Sequence, residues 1–240
     1  MYGLIGYPLE HSFSPDYFKR KFEREKIVES YQLFPIKKIE AFPELLSNHP
    51  GLKGLNVTIP YKKQIIPYLD NLDPVAKAIA AVNVIRITKS GLKGYNTDVT
   101  GFMQSLESLL SSHDRAALIL GSGGAAQAVA YALNQLDISY HIVSRKSIPD
   151  ALLYSEITDE VMESHSLVIN TTPLGMFPNV QAAPDIPYQL LTPHHLCYDL
   201  IYNPEETLFL KLAKQQGART KHGMDMLILQ AEAAWSIWNS

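Results

Sequence analysis

A glycine-rich turn near the middle of the chain has the residue types that bind a pyrophosphate. The apolar run Ala116–Leu120 leads into it, and residues 127–136 after it have helical character. Glycines let the backbone bend tightly and approach phosphate, and the start of a helix offers free N–H groups and a partial positive charge. The turn therefore predicts a bound dinucleotide, and its contact residues are Gly121, Ser122, Gly123, Gly124, Ala125 and Ala126.

The charges after the next predicted strand indicate which dinucleotide is bound. About twenty residues beyond the glycine turn, an NAD site has an acid for the ribose 2′-hydroxyl. This chain instead has Ser144, Arg145 and Lys146, which supply two cations and no acid. We expect this segment to favour NADP(H), because cations can hold the 2′-phosphate.

A lysine and an aspartate upstream of the turn are candidates for the reacting groups. Lys62 and Asp98 each follow a predicted strand. Hydride addition to a carbonyl builds negative charge on oxygen, so a nearby acid must supply a proton, and a lysine can do so. A carboxylate can hold that lysine and bind a neighbouring substrate hydroxyl. Taken alone, Lys62 could equally lie in a solvated loop, and Asp98 could simply cap the next helix.

Other polar residues stand where a ligand could need them. Ser12 and Ser14 lie at a predicted helix start, where they could bind a carboxylate or only cap the helix. Asn56 and Thr58 are expected on one face of a strand, which implies a polar partner. Asn83 lies among apolar neighbours, so backbone groups or a ligand must satisfy its amide.

These residues require a framework of alternating strands and helices in the first hundred residues. Ser14 as N-cap and Pro15 at the first helical position predict a helix start, Pro60 should stop a strand, and Pro74 should start another helix. The predicted strands are 2–6, 31–36, 52–59, 82–88 and 91–95, and the predicted helices are 16–25, 39–46 and most of 69–81. This alternation predicts an α/β domain.

The rest of the chain predicts a second α/β domain with a parallel sheet. Its expected strands are 116–120, 139–143, 167–171 and 196–201, and its helices include 100–111, 127–136 and 224–238. We expect a substrate-binding catalytic domain of residues 1–99 and 224–240 and a Rossmann-type NADP-binding domain of residues 100–223. No low-complexity linker separates them, and a cleft between two such domains is a common place for a small-molecule site.

Composition excludes several classes of function. The 240 residues are 46% hydrophobic, carry a net charge of −3 and contain no long basic run, so neither disorder nor nucleic-acid binding is expected. No window approaches the roughly 18 apolar residues of a membrane span, and the N-terminus lacks a signal-peptide layout. The single cysteine, Cys197, in an apolar run, predicts a buried thiol in a protein of the reducing cytoplasm. No metal is expected.

Eight ordered motifs give the chain a resemblance that spans essentially its full length. They are HSFSP at 11–15, NVTIPYK at 56–62, AVNV at 81–84, YNTDVTGF at 95–102, GSGGAA at 121–126, NTTPLGM at 170–176, YDLIYNP at 198–204 and GMDMLILQ at 223–230. Together they resemble the shikimate dehydrogenase family. A lone glycine loop is weak evidence, whereas eight motifs in order are strong.

The resemblance implies a role for each matching residue. Ser12 and Ser14 would bind the shikimate carboxylate, and Lys62 and Asp98 match the catalytic pair, with Lys62 as proton donor and acceptor. The substrate hydroxyls and ring would be surrounded by Thr58, Lys62, Asn83, Asp98 and Gln230, with Tyr202 completing the pocket and Asn56 as a further contact. The cofactor groove would be lined by Thr171, Pro173, Met176, Ile201 and Gly223.

The sequence departs from the family pattern in three places. Ser144-Arg145-Lys146 replaces the usual Asn-Arg-Thr, and a second family arginine just downstream is not evident. Asp225 stands where the family commonly has a glycine beside the nicotinamide. The connections after Arg145 are short, which suggests a trimmed cofactor domain.

The expected activity is the reversible reduction of 3-dehydroshikimate to shikimate by NADPH, a step of aromatic amino acid (chorismate) biosynthesis, carried out by a monomer or homodimer. The nearest alternative is a quinate or quinate/shikimate dehydrogenase of the same fold, using NAD or NADP. A distant alternative is a non-catalytic dinucleotide-binding sensor, which the presence of both Lys62 and Asp98 disfavours.

Overall fold

Two six-stranded sheets organise the chain, which the computed structural model describes over residues 1–10 and 12–240. His11, part of the HSFSP motif, lies outside the described residues. The chain divides into two compact units. The first unit is residues 1–97 with 231–240, and the second is residues 98–230.

The first unit contains a mixed sheet with helices before and after its strands. Its elements are β1 Tyr2–Gly6, α1 Ser14–Glu25, β2 Tyr31–Pro35, α2 Phe42–Asn48, β3 Gly54–Val57, β4 Asn71–Leu72, α3 Pro74–Ile79, β5 Val84–Thr88 and β6 Gly91–Tyr95. The strand order is β2-β1-β3-β5-β6-β4. β1 pairs in parallel with β2 and β3, whereas β5 is antiparallel to β3 and β6.

The second unit begins with α4 and contains a purely parallel sheet. Its elements are α4 Asp98–Glu107, β7 Ala116–Leu120, α5 Gly124–Gln135, β8 Ser139–Ser144, β9 Ala151–Leu153, α6 Asp159–Ser164, β10 Leu167–Asn170, β11 Leu196–Asp199, α7 Leu208–Gln215, β12 Arg219–Lys221 and the start of α8 Met224–Trp238. Short 3₁₀ turns occur at Ile39–Ala41, Ile66–Tyr68, Tyr154–Glu156 and Tyr188–Leu190.

The strand order of the second sheet is that of the Rossmann fold. Starting from one edge it is β9-β8-β7-β10-β11-β12, which in strand number is 3-2-1-4-5-6. The order reverses between β7 and β10, and ligands of such sheets bind beyond the carboxyl ends of the strands at this switch point. The glycine turn follows β7, so it lies at the switch point.

Both faces of the first sheet are covered, which explains why β1 is buried along its whole length. Ile5, Leu55 and Ile85 pack with residues of α2 on one face. Tyr2 and Trp238 belong to an aromatic cluster on the other face. The Trp238 indole donates to the Ile85 carbonyl oxygen at 3.0 Å, and a Cβ at Gly54 would meet the indole at 2.2 Å, so only glycine lets this ring lie on the strand.

Four elements have the bounds that the sequence predicts, and most of the other predicted ends differ from the observed ends by one to three residues. Strands 2–6, 91–95 and 116–120 and helix 224–238 have the predicted bounds, because glycines and prolines limit apolar runs there. Pro74 begins α3, with Asp73 as its N-cap. The segment 69–81 is otherwise less helical than predicted, since β4 precedes Pro74 and the helix ends at Ile79.

Two predictions about the start of α1 and the end of β3 are wrong. The N-cap of α1 is Phe13, whose side chain makes no cap bond, and Ser14 is instead the first residue of the helix. Strand 52–59 is shorter, at Gly54–Val57. Thr58 follows the strand in a turn closed by the Tyr61 amide, which donates to the Thr58 carbonyl, so Asn56 and Thr58 do not share a strand face.

Over the described residues, no helix is both long and apolar enough to cross a membrane. The same residues contain no group of three or more His, Cys, Asp or Glu side chains placed to hold a metal ion.

Candidate functional site

The glycine turn of the second unit leaves open space where a phosphate would approach. Gly121 follows β7 with φ +111°, a conformation that side chains disfavour. Gly123 is the N-cap of α5 in extended conformation, and a Cβ at Gly123 or Gly124 would meet nothing within 4 Å. The first turn of α5 contains no acid. Ala126 is fully buried, as close packing of the helix on the sheet requires. The turn can therefore bind an anion through backbone N–H groups.

The neighbouring strand end holds the glycine turn in place. Thr171 follows β10, and both its amide and its hydroxyl donate to the Leu120 carbonyl oxygen, at 3.0 and 2.7 Å. A Cβ at Gly121 would lie 2.7 Å from the Thr171 hydroxyl oxygen. A larger residue at 121 would displace Thr171, so glycine is required here for both its φ and its close contact.

Two exposed cations follow β8. The Ser144 hydroxyl accepts a hydrogen bond from the Lys146 amide at 3.1 Å, which closes the turn. Arg145 and Lys146 are exposed, whereas Ser144 is buried. Burial raises the pKa of Tyr154, and the positive charge of Arg145 opposes that rise, so this cation lies near the phenol. The end of the second Rossmann strand thus has two cations and no acid.

The remaining residues expected at the cofactor lie after β10, β11 and β12. Pro173 and Met176 are exposed on the loop after β10, where the Met176 amide donates to the Pro173 carbonyl at 3.1 Å. Ile201 is buried, and its carbonyl accepts from the Gly223 amide at 3.0 Å. A Cβ at Gly223 would meet the Leu200 carbonyl oxygen at 2.2 Å. All four residues lie beyond the carboxyl ends of parallel strands.

In the first unit, hydrogen bonds connect several of the residues expected at the substrate. The Ser14 side chain lies close to the Tyr31 phenol, which donates to the Asn56 carboxamide oxygen at 2.7 Å. The Asn56 amide donates to the Asn83 carbonyl at 3.3 Å. The Asn83 side-chain oxygen accepts from the Thr97 amide at 2.7 Å. A backbone group therefore satisfies part of the Asn83 side chain, which is one of the two kinds of partner, backbone or ligand, that the sequence predicts for it.

The turn after β3 presents Thr58 and Lys62. The Thr58 amide donates to the Ile5 carbonyl at 2.9 Å, and the Lys62 carbonyl accepts from the Val82 amide at 2.7 Å. Lys62 is half-buried, whereas the adjacent Lys63 is exposed. Ser12 is half-buried, and its backbone amide donates to the Leu9 carbonyl oxygen at 3.2 Å.

Three residues expected at the substrate belong to the second unit. Asp98 is the first residue of α4 and is half-buried. Gln230 is buried, and its side-chain NH₂ group donates to the Leu227 carbonyl oxygen at 2.9 Å. A Cβ at Gly101 would lie 3.0 Å from the Gln230 Cβ, so α4 and α8 pack closely at this glycine. Tyr202 is half-buried, and burial raises the pKa of its phenol.

The charge of the Asp225 carboxylate is partly balanced by its surroundings. It lies in the first turn of α8, where a carboxylate interacts favourably with the helix dipole. Its carboxylate also forms an ion pair with Lys221 at the end of β12. The negative charge of Asp225 is therefore partly neutralised by the ammonium group of Lys221, four residues earlier.

Sequence reasoning missed three polar residues that organise these sites. The sequence places Tyr31 only in a strand, and its position beside Ser14 and Asn56 depends on tertiary structure. Asn170 and Asp199 are fully buried at the ends of β10 and β11. Both stand where an apolar run ends in a polar residue, the signal that identified Asp98. Cys197 is fully buried as predicted, and burial raises the pKa of its thiol to about 12.

Comparison with known proteins agrees with this architecture. The family model of the shikimate dehydrogenase substrate-binding domain matches residues 4–85. A shikimate dehydrogenase (NADP(+)) of Desulforamulus reducens is 38% identical, and the alignment covers 98% of this chain and 88% of that protein.

Solved structures match over the same extent. The crystal structure of shikimate dehydrogenase from Aquifex aeolicus has a TM-score of 0.88 at 33% identity and covers 99% of this chain and 91% of the other. The quinate dehydrogenase of Corynebacterium glutamicum in complex with NAD also has a TM-score of 0.88, at 28% identity, and covers 99% and 92%. With 38% identity over nearly its whole length, the chain belongs to the shikimate dehydrogenase family.

Proposed function

We propose that this protein catalyses the reversible, NADPH-dependent reduction of 3-dehydroshikimate to shikimate. One observation carries the choice of cofactor: in a Rossmann sheet, the turn after the second strand presents Arg145 and Lys146 and no acid. The choice of substrate rests on membership of the family, together with the presence of Lys62 and Asp98.

The substrate is held by polar residues of several elements. Ser12 and Ser14, at the start of α1, bind its carboxylate. Lys62 and Asp98 contact the reacting oxygen and a neighbouring hydroxyl. The other proposed contacts are Asn56, Thr58, Asn83, Tyr202 and Gln230.

The chemical step is a hydride transfer coupled to a proton transfer. NADPH held by the second unit would supply the hydride for the ketone carbon. The Lys62 ammonium gives one proton to the ketone oxygen, so that the alcohol forms without a free alkoxide. In the reverse direction, the neutral Lys62 amine takes the proton from the alcohol. Asp98 orients Lys62 and the adjacent hydroxyl.

The cofactor is held by the second unit. The backbone of residues 121–126 binds the pyrophosphate, and Arg145 with Lys146 binds the 2′-phosphate. Ser144 shapes the turn that carries these cations. Thr171, Pro173, Met176, Ile201 and Gly223 line the rest of the groove.

The functional division of the chain follows from these roles. We assign substrate binding to residues 1–99 and 224–240 and cofactor binding to residues 100–223. We expect the enzyme to act in the cytoplasm, since a single buried thiol suits a reducing compartment, and to act as a monomer or homodimer.

Isotope transfer tests this proposal. The protein is mixed with 3-dehydroshikimate and NADPH deuterated at both C4 positions of the nicotinamide, and the product is examined by NMR. We expect shikimate with deuterium on the carbon that carried the ketone. Shikimate without deuterium, or no consumption of NADPH, would refute the proposed reaction.

Oxidation of quinate is the second candidate, because a quinate dehydrogenase is among the matching structures. That protein was solved with NAD, whereas Arg145 and Lys146 of this chain suit NADP. Quinate carries an additional hydroxyl on the carbon that bears the carboxylate, so discrimination depends on the surroundings of Ser12 and Ser14.

A further inference from the structure

We propose that Asp199 and Asn170 act as a positioning pair that sets the affinity of the glycine turn for NADP(H). This inference rests on the proposed cofactor. Neither residue was predicted to contact a ligand. Both side chains have no exposed surface, so they can act on a cofactor only through their neighbours.

The Asp199 carboxylate accepts three hydrogen bonds at the end of β11. The donors are the Asn170 side-chain amide at 3.1 Å, the Ile201 backbone amide at 3.0 Å and the Thr207 hydroxyl at 2.6 Å. Burying a carboxylate is costly, and an apolar residue would avoid that cost. An apolar residue, however, could not accept these hydrogen bonds.

The carboxylate fixes the orientation of the Asn170 side chain. Asn170 lies opposite Asp199 in the parallel pairing of β10 and β11. Because a carboxylate can only accept, Asn170 must turn its NH₂ group towards it. Its carbonyl oxygen then accepts from the Thr172 amide at 3.0 Å and the Thr172 hydroxyl at 2.7 Å. With the opposite orientation, the NH₂ group would face the Thr172 backbone N–H, and the carbonyl oxygen would face the carboxylate.

The turn fixed in this way packs on the glycine turn. A Cβ at Gly121 would lie 2.7 Å from the Thr171 hydroxyl oxygen and 3.1 Å from the Thr172 methyl carbon. Thr171 also donates twice to Leu120, the residue before Gly121. A change in the orientation of Asn170 would therefore move the threonines that hold Gly121, and the N–H groups beyond it would lose their alignment.

Titration calorimetry with NADP⁺ on four variants tests the pair. Asp199→Leu should weaken NADP⁺ binding by about 10- to 100-fold, because the Asn170 amide loses its charged acceptor. Asn170→Ser breaks the same link from the other side and should have a similar effect, and it provides the test if Asp199→Leu does not fold. Asp199→Asn retains an oxygen for Asn170 and should recover most of the affinity.

Thr207→Val is the matched control. It removes a hydrogen bond to the same carboxylate and the cap of α7 but leaves Asn170 in place. We expect it to lower the melting temperature while the Kd for NADP⁺ changes by less than about twofold. The proposal fails if Asp199→Leu and Asn170→Ser bind NADP⁺ normally, or if Thr207→Val weakens binding equally. A wild-type protein that does not bind NADP⁺ would instead refute the proposed cofactor itself.

Discussion

The phenol of Tyr31, on the edge strand of the first sheet, donates a hydrogen bond to the Asn56 carboxamide oxygen at 2.7 Å. The side chain of Ser14, the first residue of α1, lies close enough to the same phenol to oppose the rise in its pKa that burial causes. Tyr31 therefore connects two residues proposed to bind the substrate, although its ring belongs to the aromatic core, where it stacks on Phe18 with ring centroids 4.7 Å apart.

Tyr31→Phe should raise the KM for shikimate by about 3- to 10-fold, because Asn56 loses one hydrogen-bond donor and Ser14 loses a polar neighbour. The ring remains, so the fold and the KM for NADP⁺ should not change. Steady-state kinetics measure both constants. Tyr188→Phe, which removes a phenol bonded to Pro184 in the other unit, is the control. An unchanged KM for shikimate in Tyr31→Phe would show that the Tyr31 hydroxyl does not support the carboxylate site.

Lys62→Ala should lower kcat by roughly 10²- to 10⁴-fold with little change in KM, because only the proton transfer is lost. The comparison variant is Lys63→Ala, which removes an exposed ammonium group from the next residue and should leave kcat within about twofold. If Lys62→Ala turns over at the wild-type rate, Lys62 has no part in the chemistry.

Arg145→Ala should raise the KM for NADPH by about tenfold or more and leave the KM for NADH nearly unchanged, because only NADPH has the 2′-phosphate. Arg115→Ala removes another exposed arginine of the same unit and should alter neither constant. Equal losses for the two cofactors would remove Arg145 from the 2′-phosphate site.

Asp199 should give stability a pH dependence of defined sign. Burial raises its pKa from 3.8 to about 6, and hydrogen bonds from Thr207, Ile201 and Asn170 oppose that rise. Because the pKa of Asp199 is higher in the folded state than in the unfolded state, protonation of its carboxyl stabilises the folded state. This stabilisation is fully present below the unfolded-state pKa and is lost as pH rises through about 6. Asp199→Asn cannot ionise. From pH 4.5 to 7.5, the stability of this variant relative to wild type should therefore rise by about 2 kcal/mol in urea titrations.

Asp114 provides a comparison of the opposite sign. Burial would raise the pKa of Asp114, but hydrogen bonds from Ser111 and Arg219 outweigh it and lower that pKa. The Asp114 carboxylate therefore stabilises the fold above its unfolded pKa and loses this effect in acid. Relative to wild type, Asp114→Asn should lose stability as pH rises from the acid range. The same slope for both variants would contradict the assigned environments.

Much of the fold could be predicted from local signals. β1, β6, β7 and α8 have their predicted bounds because glycines, prolines and apolar periodicity define them within a few residues. The three-residue strands β9 and β12 have no such signal, since their identity comes from pairing with β8 and β11. The early end of β3 was missed because Thr58 and Ile59 have strand propensity.

The candidate site could be predicted where chemistry depends on residue type and missed where it depends on neighbours. The proposed roles of Gly121 and Arg145 can be predicted from residue type alone, because a tight turn favours glycine and a phosphate group favours a cation. Tyr31 and Asp199 act through side chains far away in sequence. Ser14 illustrates the limit: its residue type is compatible with a cap or a ligand contact, and only the structure places its side chain beside Tyr31.

Initial rates for four substrate pairs, followed at the absorbance band of the reduced nicotinamide, test the assigned activity most directly. Shikimate and quinate are each combined with NADP⁺ and with NAD⁺. We expect kcat/KM to be highest for shikimate with NADP⁺, and Arg145→Ala to abolish the preference for NADP⁺ over NAD⁺. A higher kcat/KM for quinate or for NAD⁺, or no reduction of either cofactor, would contradict an NADP-dependent shikimate dehydrogenase.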